Sequence, residues 1–124
     1  MAGGDGAFRK RGFPYHKLLT EISGKTLIEH TINPLVQLPG KRVVILLKED
    51  AIKHHIIEVL RLIDPQMEII LAEGQTSGAA CSCLLAIDHI RTDVSVLITN
   101  GDQIIKADIH KIIRIFEESR DLQY

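Results

Sequence analysis

Long apolar runs, a cysteine framework and an excess of either charge are all missing from this chain, and each absence closes off a class of protein. No apolar run approaches the roughly 20 residues of a membrane span, and the N-terminus lacks the apolar core of a secretion signal. The 15 Lys+Arg and 16 Asp+Glu leave a formal net charge of −1, which gives no global pull toward nucleic acid or a membrane surface. The two cysteines, Cys81 and Cys83, lie too close together for a disulfide framework, and no zinc spacing completes them. On a helix they would not share a face, so buried small hydrophobes is their better reading. Aromatic residues make up 4% of the chain, and none is interleaved among Arg9, Lys10 and Arg11 to make a nucleic-acid patch. His30, His54, His55, His89 and His110 are scattered without ligand spacing, and nothing supports a nucleophilic triad. The exclusions point to a cytoplasmic protein with no nucleic-acid or membrane partner.

What is present is ordinary globular composition, 45% apolar and 25% charged over 124 residues. That length suits a single domain, residues 1–124, in which folding removes about two thirds of the chain's surface from water. Lys17 to Ile22 reads as a short extended segment ending at a Ser23–Gly24 turn. Thr26 and Glu29 have capping-box spacing before a helix with Leu27, Ile28, Ile32 and Leu35 on one face, which Pro34 should kink or end. Val43 to Leu47 reads as a strand buried on both faces, and Asp50 as the cap of a helix from Ala51 to Ile63. Met67 to Leu71 makes a second strand, Ser77 to Ile90 a helix of small and apolar residues, and Val94 to Thr99 a third strand. Ile109 to Phe116 opens a last amphipathic helix. Strands alternating with helices predict an α/β fold with a mainly parallel sheet.

Three places carry candidate chemistry. The opening holds Gly3, Gly4 and Gly6, then Arg9, Lys10, Arg11 and, further on, Lys17. Glycines let backbone N–H groups turn toward an anion, and the cations neutralise it; the alternative is a flexible chain end. The common nucleotide fingerprints are not met, since Arg9 stands where a third glycine belongs and Gly-Lys-Ser/Thr is absent. Asp102 follows the third strand directly, where open α/β sheets bind ligands. A carboxylate there can hold Mg²⁺ against a phosphate, or simply close an Asx-turn. Gln75 to Ala80 enters a helix through Thr76 and Gly78, where small side chains admit either a flat ligand or close helix–sheet packing.

Taken in order, Ala2-Gly3, Phe8, Gly12-Phe13, Lys17, Leu19, Gly24-Lys25, Leu27-Ile28-Glu29-His30, Thr76, Gly78-Ala79-Ala80-Cys81 and Asn100-Gly101-Asp102-Gln103 resemble the nucleotide-binding part of sugar-phosphate nucleotidyltransferases. The variety most resembled occurs in surface-polysaccharide biosynthesis. The resemblance implies a Rossmann-like three-layer α/β/α fold, incomplete here at both ends, that binds a nucleoside triphosphate with Mg²⁺. It implies transfer of the nucleotidyl group to a sugar phosphate with loss of pyrophosphate. Ala2, Gly3, Gly4 and Gly6 would cradle the triphosphate, with Lys17 on the phosphates, Gly78 against the base, Thr76 also on the nucleotide, and Asp102 on the metal. The chain departs from the family pattern at Asp5, Ala7, His16 and Leu18; Arg9 would replace the loop arginine that Ala7 lacks. The missing parts imply a homo-oligomer or a separate complementary half, and the alternative is a catalytically inactive binding or interaction module of the same descent.

Overall fold

The computed structural model describes residues 6–120, apart from the side chains of Arg9 and Arg120. A short helix α1 (Gly6–Arg9) leads to a 3-10 turn at Lys17–Leu19 and a small antiparallel hairpin, β1 (Glu21–Ile22) and β2 (Lys25–Thr26). Ser23 and Gly24 turn the hairpin with φ of 51° and 80°, the left-handed pair that a two-residue hairpin loop requires. Helix α2 (Leu27–Val36) follows at once. Its entry is the capping box expected from the sequence: the Glu29 N–H donates to Thr26 Oγ1 at 3.4 Å, and the Thr26 N–H donates to Glu29 Oε2 at 2.7 Å. Pro34 lies inside α2, and the helix stops two residues later.

Strand β3 (Val43–Leu47), helices α3 (Lys48–Lys53) and α4 (Ile56–Ile63), and strand β4 (Glu68–Ala72) form one crossover unit. The two strands run parallel, in register from Val43 opposite Glu68 to Leu47 opposite Ala72. Val44 and Leu46 of β3 meet Ile28 and Ile32 of α2, Ile56 and Leu60 of α4, Leu18 and Met67 in the buried core. Burial of such side chains contributes about 1.5–3 kcal/mol each, which is what fastens the 3-10 turn, through Leu18, to the sheet. After β4 come helix α5 (Ala79–Leu84), a 3-10 turn at Ile87–His89 and helix α6 (Ile109–Arg120).

Several expectations give way here. Asp50 does not cap the helix after β3. The chain passes straight from Leu47 into α3, which leaves Asp50 in the first turn, where a carboxylate favours the helix dipole. The expected helix from Ala51 to Ile63 breaks at His55, whose φ of 53° is left-handed. That break turns Ile52 out to 59% exposure, although its spacing matches Ile56. β3 is buried along its Val44 and Leu46 face, while on the other face Leu47 is buried and Val43 and Ile45 are half-buried. The helix expected over Ser77–Ile90 is cut to α5 and a short turn. Val94–Thr99 has strand composition yet pairs with no strand among the described residues. Pairing is a property of two strands, and β3 is joined to β4 alone in its sheet. Val94, Val96, Leu97 and Ile98 therefore stay about half exposed or more. The described residues form a mixed α/β fold with one parallel strand pair, and the full three-layer sandwich is not seen among them. No described helix is long and apolar enough to cross a membrane.

Candidate functional site

Two of the residues singled out in the sequence meet in space. Lys17 Nζ donates to Asp102 Oδ2 at 2.8 Å, across 85 residues of chain. Lys17 rides on the 3-10 turn that Leu18 anchors in the core. Asp102 follows Gly101, a buried residue whose carbonyl accepts the Thr31 hydroxyl of α2 at 3.1 Å. The Lys17 ammonium holds the Asp102 carboxyl below the ordinary aspartate range, against a smaller opposing effect of burial. The carboxylate is therefore ionised at neutral pH, 40% exposed, and already drawing a cation.

His16, just before Lys17, is the other notable feature of this corner. It is 2% exposed. Its Nδ1 accepts the Leu18 N–H at 3.3 Å, its Nε2 lies 3.4 Å from Asp50 Oδ2, and its ring centre is 5.1 Å from that of His54. Sequence reading marked His16 only as a departure from a family pattern and passed over Thr31 altogether. The signal available for both was a polar residue in or beside an apolar segment.

Thr76 and Gly78 lie in a turn of their own. Thr76 Oγ1 donates to the Gly78 carbonyl at 3.2 Å and shares a 2.6 Å bond with Ser82 Oγ. Gly78 has φ 157° and ψ 175°, a region that essentially only glycine occupies. A Cβ there would meet nothing within 4 Å, and Gly78, Ala79 and Ala80 are exposed. Backbone geometry rather than close helix–sheet packing therefore calls for glycine at 78. Gly6 opens α1 and accepts the Lys10 N–H at 3.1 Å. Ala2, Gly3 and Gly4, and the side chain of Arg9, lie outside the described residues.

A cavity of about 420 Å³ between α2 and the start of α6 includes neither Lys17 nor Asp102. Two of its polar lining residues are already engaged: His30 Nε2 bonds the Ile22 carbonyl and Glu29 bonds Thr26. Among the described residues no group of three or more His, Cys, Asp and Glu is placed to hold a metal ion. Mg²⁺ needs fewer protein ligands than that, since one or two carboxylates suffice when phosphate oxygens and water complete the shell.

Comparison with curated proteins gives no match, nor does comparison with solved structures. The profile of the MobA-like NTP transferase domain, in contrast, matches residues 1–122. The chain belongs to that family, whose chemistry is nucleotidyl transfer from a nucleoside triphosphate.

Proposed function

We propose that the Lys17–Asp102 corner binds a nucleoside triphosphate with Mg²⁺, for transfer of its nucleotidyl group to a sugar phosphate. The observation that carries this reading is the contact itself. An ammonium and an ionised, partly exposed carboxylate are held 2.8 Å apart by segments that share no local sequence. Family membership supports the nucleotide, and the family typically uses Mg²⁺. The donor set fits that ion, because Asp102 is an accessible carboxylate that already attracts positive charge.

In this reading Lys17 turns from Asp102 to the phosphates, and Asp102 is left to hold the metal. When bound, Mg²⁺ withdraws charge from the phosphate oxygens. Ala2, Gly3, Gly4 and Gly6 offer backbone N–H groups to the triphosphate, and Arg9 steadies the leaving pyrophosphate. Thr76 and Gly78 lie against the base, where the open space beside Gly78 admits a flat ring. An oxygen of the acceptor phosphate forms a bond to the α-phosphorus as the bond to the β-phosphate oxygen breaks. Holding the two phosphates together and neutralising their repulsion supplies most of the rate.

The test is a thermal melt with Mg²⁺ and each of CTP, UTP, dTTP, GTP and ATP, on this chain and on Asp102→Asn. A nucleotide at about a hundred times its Kd adds roughly 2.7 kcal/mol of stability. That shift is expected for at least one nucleotide and should lose its Mg²⁺ dependence in Asp102→Asn. An intact Mg²⁺-dependent shift in the variant removes Asp102 from the metal. Pyrophosphate release on adding sugar phosphates then separates an enzyme from the catalytically inactive binding module.

A further inference from the structure

We propose that His16 is a positioning residue, the side chain that sets Lys17 against Asp102 and so aims the ammonium at the phosphates; this rests on the nucleotide reading above. Three polar or charged residues are buried among those described, His16, Thr31 and Asp64. Asp64 is accounted for by its ion pair with Arg42. The other two each adjoin the Lys17–Asp102 pair, His16 through the chain and Thr31 through its bond to Gly101.

One ring nitrogen of His16 caps the turn, and the other faces a carboxylate. Nδ1 accepts the Leu18 N–H, which makes His16 the cap of the turn carrying Lys17. That bond also fixes the tautomer: the proton of the neutral ring sits on Nε2, which faces Asp50 Oδ2 at 3.4 Å. Asp50 lies in the first turn of α3, directly after β3, and His54, against the same ring, ends that helix. The turn thus packs through His16 against the helix that follows β3, while Leu18 is buried in the core. Lysine has a long, flexible stem. Its reach to Asp102 is reproducible only if the backbone at position 17 is held, and His16 holds it.

The experiment is a double-mutant cycle on Kd, with Mg²⁺ and whichever of the five nucleotides shifts the wild-type melt. His16→Ala should weaken binding about tenfold, the scale of one hydrogen bond to a charged group, and Lys17→Met by a similar factor. The double variant should bind no more weakly than Lys17→Met. His16→Asn, which restores a capping acceptor, should recover binding to within about threefold. Asp64→Asn, a destabilised control away from the pair, should lower the melt and leave Kd unchanged. Multiplicative losses in the double variant, or an equal loss in Asp64→Asn, would mean that His16 supports the fold only. If His16→Ala does not fold, His16→Asn decides: near-native Kd supports the proposal, and a loss equal to that of Lys17→Met overturns it. If no nucleotide binds the wild type, the nucleotide reading fails by itself. Positioning is then read from the ¹⁵N–¹H signal of the Lys17 ammonium, which should be slowed by its bond to Asp102 and persist in His16→Asn. An unchanged signal in a folded His16→Ala overturns the proposal.

Discussion

Replacing Lys17 with methionine should have two effects of opposite sign, and their opposition is the test. At 2.8 Å the bare attraction between Lys17 and Asp102 is about 6 kcal/mol at an effective dielectric near 20. Solvent reaches both groups, with side-chain exposures of 22% and 40%. Screening and the ordering of a long side chain reduce the net to about 1 kcal/mol. Ligand-free Lys17→Met should therefore melt about 4 °C lower for a chain of this length. The same loss removes the cation that competes for Asp102. Mg²⁺ without nucleotide should then bind about fivefold more tightly, the equivalent of 1 kcal/mol. With nucleotide present the sign reverses, because the phosphates have lost Lys17.

The assay is a melt across a Mg²⁺ titration, with and without nucleotide, at low and high salt. The ligand-free gap between wild type and variant should shrink as salt screens the pair. It should also close in acid. Lys17 lowers the Asp102 carboxyl, so the stability linked to it is complete above the unfolded aspartate value of about 3.9. It is lost as pH falls through the lower folded value. Unchanged or weaker Mg²⁺ binding in nucleotide-free Lys17→Met would refute the idea that Lys17 occupies the metal's place at Asp102.

Arg42→Ala strands the buried Asp64 carboxylate, which Arg42 holds below its usual range chiefly by a side-chain hydrogen bond. Urea unfolding should show a loss of about 3 kcal/mol at pH 7, shrinking below about pH 4 as the carboxyl protonates. Thr26→Ala removes the hydroxyl that caps α2 and bonds Glu29. It should cost about 1 kcal/mol by the same assay, with nucleotide affinity unchanged.

The elements readable in the sequence are those whose determinants are local. Thr26 and Glu29 are three residues apart, so their capping box needs nothing from the rest of the chain. Val43–Leu47 is apolar throughout and opens with three β-branched residues, and Asn100–Gly101 ends the apolar segment before Asp102 as turn residues do. Where determinants are distant, the reading failed. Ile52, Ile56, Val59, Leu60 and Ile63 keep helical spacing straight through His55, so the pattern carried no sign of the left-handed break. Val94–Thr99 has every compositional mark of a strand. A strand exists only beside a partner, and composition cannot report whether one is within reach.

The site divides along the same line. Lys17 and Asp102 were each visible, one behind a glycine-rich opening and the other after an apolar segment. Their contact was not, because 85 residues of intervening fold decide it. Two side chains that bear on the contact, His16 and Thr31, are polar groups buried among apolar ones. Each forms its bond to a backbone group beside the pair rather than to the pair itself. Such residues leave one trace in a sequence, a side chain that neither hydrophobic spacing nor turn chemistry explains. His16 left that trace beside Lys17, as a polar ring just ahead of Leu18 and Leu19. The ring stiffens position 16 by its hydrogen bond to the Leu18 N–H and by its packing beside Asp50 and His54, and each of those contacts can be removed by a separate substitution.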